Sequence, residues 1–242
     1  MGKSFEALAK DTKKFFALSG KKKAVLGVSG GVDSALTCAI AAKALGGKNV
    51  FCLHLPYYSD PTAKAHAETA ARLFGAQFKV VSIRRMVDGI AGELKCDREG
   101  KGNVMARVRM VVLYDFARKE NALVAGTGNK SELSLGYFSK YGDGGVDFLP
   151  IGGLLKKDVR KMALRAGIPR ALVLQPATAG LWPGQTDEGE MQMLYSQLDE
   201  ILELLERSQG AKAKAKFGAE LVKRVEGMMK ASRHKRLPPE IF

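Results

Sequence analysis

Residues 24–34 read Ala24-Val25-Leu26-Gly27-Val28-Ser29-Gly30-Gly31-Val32-Asp33-Ser34. A short aliphatic run ends in Ser-Gly-Gly, and a helical pattern starts at once with Ser34-Ala35-Leu36-Thr37. A strand feeding a glycine-bearing turn that opens a helix is an anion-binding arrangement. The glycines let backbone N–H groups approach an anion, and the helix N-terminus adds partial positive charge. Asp33 sets a carboxylate beside that anion, which makes chemical sense if Mg²⁺ bridges it to phosphate. No Lys-Ser or Lys-Thr follows these glycines at Walker spacing, and no G-x-G-x-x-G occurs. The loop is therefore neither a P-loop nor a dehydrogenase fingerprint.

The alternation of strand and helix continues on both sides. Phe5, Leu8, Thr12, Phe15 and Phe16 have helical spacing, and Gly20 ends that helix. The helix from Ser34 stops at Gly46-Gly47, and strands are predicted at 50–55 and 77–81 with an Ala-rich helix between them. Residues 97–102 read as an exposed turn. Asn103 is placed to cap a helix carrying Val104, Val108, Val111, Val112 and Phe116 toward the sheet. A fourth strand at 123–125 runs into Gly126-Thr127-Gly128-Asn129. Such units imply parallel strands and right-handed crossovers. The predicted fold class is α/β, a doubly wound, mostly parallel sheet flanked by helices in one domain. Ligands bind such sheets at the carboxyl ends of the strands, so the second glycine turn should face the first.

Beyond Ser139 the chain is loop-rich, with helices predicted at 156–166, from Tyr195, and around Leu221 to Met229. Tyr195, Leu198, Ile201, Leu202 and Leu205 form one apolar face. The Ala/Lys tract at 211–216 reads as a solvated, mobile crossing within a low-apolar segment from 208 to 217.

Composition narrows the function classes. With 242 residues, 46% hydrophobic and 26% charged, the chain can bury a proper core. No apolar run reaches membrane-spanning length and no signal peptide is evident, so a cytoplasmic location is expected, with no membrane partner. Cys38, Cys52 and Cys96 form no C-x-x-C pair and read as free thiols. The net charge of +14 suits either nucleic acid or a small polyanionic substrate. The basic residues are scattered along the chain, so composition alone does not choose between the two.

Several side chains are candidates for chemistry. Glu132 follows the second glycine turn and, paired with Asp33, could share a Mg²⁺; the alternative is a helix-stabilising acid. Lys140, Asp143 and Asp147 lie in a glycine-rich loop. Lys156 and Lys157 open a helix, an unfavourable place for cations that hints at an anionic ligand. His234-Lys235-Arg236 is either a phosphate clamp or a solvated tail.

Ser29-Gly30-Gly31-Val32-Asp33-Ser34 after the first strand resembles the pyrophosphate loop of N-type ATP pyrophosphatases. Other motifs, in order over nearly the whole chain, resemble the NAD synthetase family within it. They are Asn103 to Arg107, Gly126-Thr127 with Asn129 to Glu132, Phe138 to Asp147, Leu155-Lys156-Lys157, Pro176 to Ala179, Pro183-Gly184-Gln185 with Asp187-Glu188, and His234-Lys235-Arg236 with Pro238. The resemblance implies an adenine nucleotide alpha-hydrolase-like, Rossmann-like fold and one ATP pyrophosphatase domain over residues 1–242 without a glutaminase domain. It implies that Gly27, Val28, Ser29, Gly30, Gly31, Val32, Asp33, Ser34, Thr127, Lys156 and Thr178 contact ATP. Asp33 and Glu132 would hold Mg²⁺. Arg107, Lys140, Asp147, His234 and Lys235 would hold deamido-NAD, at the interface of a homodimer.

The implied reaction has two steps. Attack of the nicotinate carboxylate on the α-phosphate of ATP replaces an oxide leaving group by AMP. Free ammonia then attacks the adenylated carbonyl. Asp33, Lys156 and Thr178 are the expected catalytic residues, working by electrostatic stabilisation and positioning. Two positions depart from the family pattern: Gly180 stands where Asp is common, and His54 where Arg is common. An RNA-modifying enzyme and a non-catalytic ATP sensor are the rival readings. The paired carboxylates Asp33 and Glu132 weigh against the sensor. The RNA-modifying reading would need an RNA-binding appendage for which the resemblance leaves no residues, so no nucleic-acid partner is expected.

Overall fold

The computed structural model describes residues 3–241. In chain order its elements are α1 (Phe5–Ser19), β1 (Lys23–Gly27), α2 (Val32–Leu45), β2 (Val50–His54), α3 (Pro61–Leu73), β3 (Gln77–Val80), α4 (Arg84–Glu93), α5 (Arg98–Glu120) and β4 (Ala122–Ala125). There follow α6 (Lys130–Leu135), α7 (Lys156–Arg165), α8 (Arg170–Val173), α9 (Asp187–Met191), α10 (Tyr195–Glu206), α11 (Gly210–Phe217) and α12 (Ala219–Ala231).

The strands form one parallel sheet in the order β3-β2-β1-β4. Ala24, Val25 and Leu26 of β1 and all five residues of β2 are buried, as expected for strands covered on both faces. Their side chains alternate between two cores. Val25, Phe51, Leu53 and Val124 pack with Met105, Val108 and Leu113 of α5. Ala24, Leu26, Val50 and Cys52 pack with Cys38 and Ala41 of α2 and Ala67 of α3. A third core joins α6 to α10, α11 and α12.

From β1 the chain steps outward to β2 and β3, then returns to lay β4 on the other side of β1. The topological switch point therefore lies between β1 and β4, where Leu26 is in register with Ala125. Both glycine turns leave the sheet there, at the expected place for a ligand crevice.

Three local expectations are corrected. Residues 98–102 are helical, because the Asp97 side chain caps α5 by accepting the Gly100 N–H at 2.7 Å. Gly102, bare of a side chain, lies against Leu181 and Trp182. Asn103 thus sits inside the helix rather than capping it. Val111, expected to face the sheet, is 66% exposed, because the apolar stripe of so long a helix turns away from the sheet. The Ala/Lys tract is helix α11, anchored by the fully buried Ala213 among α10 and α12 residues. Alanine's helix propensity and that one anchor outweigh the lysines. Helix α4 carried no sequence expectation. Cys38, Cys52 and Cys96 are free thiols, as read. Among the described residues no helix is long and apolar enough to cross a membrane.

Candidate active site

The first glycine turn is held rigidly. The Val28 N–H donates to the Leu53 carbonyl at 2.9 Å, and His54 Nδ1 lies 2.9 Å from the Val28 carbonyl oxygen. That contact makes the buried His54 a strand-end brace. Gly30 adopts φ +92°, and a Cβ there would lie 2.4 Å from the Ala63 carbonyl oxygen, so only glycine fits. Ser34 Oγ donates to the Gly31 carbonyl at 3.0 Å, and Ser29 Oγ accepts the Gly31 N–H at 3.2 Å. Gly31 is the N-cap of α2 and has no side chain to satisfy the helix's first N–H groups. That end of α2 suits an anion.

The second turn answers the first across the crevice. Buried Asn129 and Glu132 form a capping box at the start of α6. Asn129 Nδ2 also donates to Asp33 Oδ1 at 2.9 Å, which ties the two turns together. Between them stands Lys156, the first residue of α7 and only 1% exposed. Its ammonium lies 2.5 Å from Asp33 Oδ2 and 3.2 Å from Glu132 Oε1. The Tyr195 ring supports it from below, with its centroid 4.8 Å from Nζ. Tyr195 OH lies 2.9 Å from Asp187 Oδ2 and 3.2 Å from Glu132 Oε1, and its single proton serves one of them at a time.

Two carboxylates thus contact one ammonium, and a third, Asp187, joins them through the Tyr195 hydroxyl. Burial, then the neighbouring Asp33 charge, pushes the Glu132 carboxyl up to about 7, with Lys156 opposing. Burial also raises Asp187. Burial pulls the Lys156 ammonium downward, but the Asp33 and Glu132 charges together hold it above the ordinary lysine value. With three carboxyl groups to one ammonium, the crevice has an excess of acidic groups. Among the described residues no group of three or more His, Cys, Asp or Glu side chains is arranged to hold an ion alone. Mg²⁺ is commonly bound by one or two carboxylates with waters and phosphate oxygens. Asp33 and Glu132 have the hard oxygen donors required.

A family model described as NAD synthase matches residues 5–239. The chain belongs to the NAD synthase family. An NH(3)-dependent NAD(+) synthetase of Archaeoglobus fulgidus is 45% identical, the match covering 91% of this chain and 89% of the relative. The solved NH3-dependent NAD synthetase of Campylobacter jejuni, in complex with the nitrate ion, superposes with TM-score 0.85 at 29% identity, covering 98% and 96% of the two chains. An NMN synthetase of Francisella tularensis superposes with TM-score 0.87 at 28% identity over 99% of both. Membership makes this chain a ligase of NAD synthesis, with the NH3-dependent type as its match.

The other residues singled out in the sequence separate into two groups. Arg107, Lys140 and Lys235 line an open groove of about 730 Å³ shared with Tyr114 and Tyr141. Asp147 flanks it, accepting the Tyr114 hydroxyl at 3.2 Å and the Val124 N–H at 2.7 Å. Lys235 donates to the Gly136 and Phe138 carbonyls at 2.8 and 2.9 Å, so it also braces the loop beneath. His234 is exposed and is not among the groove-lining residues. Thr127 follows the end of β4 beside the crevice. Thr178 is exposed, with its hydroxyl accepting the Gly180 N–H at 3.0 Å. It shares no hydrogen bond with Lys156, although the neighbouring Ala177 carbonyl accepts the Asp187 N–H at 2.9 Å. Gly180, at φ +62°, closes that turn. Sequence reasoning gave no role to Asn129, Asp187 or Tyr195. The only signal for Tyr195 was its place on an apolar face, where a phenol is ordinarily a core filler.

Proposed function

We propose that this member of the NAD synthase family joins ammonia to deamido-NAD at the expense of ATP, releasing AMP, pyrophosphate and NAD⁺. The observation that carries the reading is the Asp33–Lys156–Glu132 cluster at the mouth of the glycine turn. The turn's backbone, residues 27–34, receives the ATP phosphates, with Thr127 and Thr178 flanking them. Lys156 neutralises charge on the α-phosphate as the nicotinate oxygen bonds to phosphorus and the bond to pyrophosphate breaks. Nitrogen of ammonia then bonds to the carbonyl carbon, a proton is lost, and AMP leaves. Mg²⁺, held by Asp33 and Glu132, would supply charge neutralisation for the phosphates. The groove of Arg107, Lys140 and Lys235 suits the anionic dinucleotide, with Asp147 at its margin and His234 on the adjoining turn.

Free ammonia as nitrogen donor, and one catalytic domain over residues 1–242, are supported by the NH3-dependent relatives. A homodimer that completes the groove is supported by the exposed Val111, Tyr114 and Tyr141 beside it. A cytoplasmic setting suits the free cysteines. The Francisella tularensis match favours a second reading, in which nicotinate mononucleotide is amidated. Release of pyrophosphate from ATP with Mg²⁺ and ammonia decides among these. Turnover is expected with deamido-NAD. Turnover with the mononucleotide alone transfers the reading to that substrate, and release only on adding tRNA overturns both.

A further inference from the structure

Helix α7 starts badly by its own sequence. Leu155, its N-cap, offers no side-chain oxygen, and Lys156 and Lys157 put two cations at the positive end of the helix dipole. Yet Lys156 is the side chain on which the buried carboxylates converge. Lys157 directs its ammonium outward to Glu203 at 2.6 Å, which settles one charge. The backbone is settled from another helix.

Asp199 of α10 is 1% exposed and lies one helical turn beyond Tyr195, on the same face. Its Oδ2 accepts the Lys157 N–H at 2.8 Å. Its Oδ1 accepts the Ser131 hydroxyl at 2.5 Å, and Ser131 Oγ in turn accepts the Lys156 N–H at 3.0 Å. One buried carboxylate therefore satisfies the first two N–H groups of α7, one directly and one through a single hydroxyl. It also sets a negative charge at the positive helix end and locks α6, which carries Glu132, to α7. An ordinary N-cap would come from the residue just before the helix. Here it comes from α10, the helix that also holds Lys156 Nζ over the Tyr195 ring.

We propose that Asp199 is a positioning residue for the amidation reaction, capping α7 from α10 and so fixing the backbone from which Lys156 reaches the crevice. The inference rests on the reading of Lys156 as the group that neutralises the α-phosphate. Asp199 itself touches neither Asp33 nor Glu132 among the described residues, so its effect passes through Ser131 and the α7 backbone. A cap that served stability alone would lower the melting temperature and leave kcat per folded molecule unchanged. A positioning cap acts on kcat, because a displacement of about 1 Å far from the chemistry can cost about 100-fold.

The test compares Asp199→Asn, Ser131→Ala and the double variant. Each is assayed for pyrophosphate release, with amide hydrogen exchange at residues 156–158 measured alongside. Asn can accept from only one of the two donors, so Asp199→Asn should lower kcat about tenfold while KM for deamido-NAD moves less than about twofold. Ser131→Ala should behave alike, and the double variant should be no worse than the poorer single, since both act through one path. Exchange at 156–158 should quicken while Leu26 and Leu53 stay protected. Unchanged kcat in folded Asp199→Asn overturns the proposal, as do strictly additive losses. If the wild-type chain releases no pyrophosphate, the functional reading falls and the catalytic half of this proposal falls with it. The exchange rates still judge the cap, and unchanged exchange in Asp199→Asn overturns it.

Discussion

Replacing Glu132 with Gln separates what the carboxylate does chemically from what its burial does to stability. Burial beside Asp33 moves its folded-state pKa from 4.5 to about 7. A carboxyl raised in the folded state favours folding below its unfolded value, and that advantage is lost as pH rises through the folded value. The move from 4.5 to about 7 corresponds to about 3 kcal/mol of stability forfeited between acid and pH 8. Gln never ionises and is spared this loss. Against that, the Asn129 N–H loses the oxygen it meets at 3.2 Å, a cost of about 1 kcal/mol. In the presence of a chelator, Glu132→Gln should therefore be about 2 kcal/mol more stable than the parent at pH 8 and about equal to it near pH 5. Urea unfolding followed by circular dichroism at the two pH values measures both. Pyrophosphate release at pH 8 should fall at least about 100-fold in the same variant, because one of the oxygens proposed to hold Mg²⁺ becomes an amide. A variant less stable than the parent by the same margin at both pH values would refute the reasoning.

Gly30→Ala should destabilise the fold by about 3 kcal/mol, since the new methyl meets the Ala63 carbonyl and the left-handed backbone disfavours it; a thermal melt reads this directly. Asp33→Asn should keep the fold and lose at least about 100-fold in pyrophosphate release, with activity no longer saturating in a Mg²⁺ titration. Lys140→Ala should raise KM for deamido-NAD about tenfold and leave KM for ATP within about twofold, because its ammonium lies in the groove rather than the crevice. Steady-state kinetics with each substrate varied in turn would expose a uniform effect, which contradicts the division of labour.

The sheet and the first pair of carboxylates were legible because local signals and global fold agree there. The buried run of β1, its glycine turn and Asp33 each point to the same crevice, and Glu132 lies where the second such turn begins a helix. Lys156 and Lys157 were legible as an anomaly, two cations at the wrong end of a helix, and the structure resolves it with Asp33, Glu132 and Glu203. The first turn of α5 was not legible. Gly100 and Gly102 argue against helix; the Asp97 side chain caps the turn at Gly100, while the surface against Gly102, Leu181 and Trp182, lies far along the chain. Tyr195 and Asp199 were hidden for the opposite reason. Each fits an amphipathic helix without comment, and only the packing of α10 against α6, α7 and α9 gives their polar atoms partners. Thr178 was legible only through its motif, and it sits in an exposed turn with its hydroxyl accepting the Gly180 N–H.

The segment at Asp147 and Phe148 has a second consequence. The Asp147 N–H donates to Val124 at 3.0 Å and the Phe148 carbonyl accepts from Gly126 at 2.8 Å, so this loop covers the otherwise open flank of β4. At the opposite flank β3 is only four residues long and presents Lys79 to solvent, which discourages pairing with another chain. β4 has no such charge among its four residues and relies on the loop. The loop that forms the groove thus also blocks strand pairing at the β4 edge. Substitutions that unseat it should register as lost solubility, and as lost affinity for the dinucleotide proposed to bind the groove.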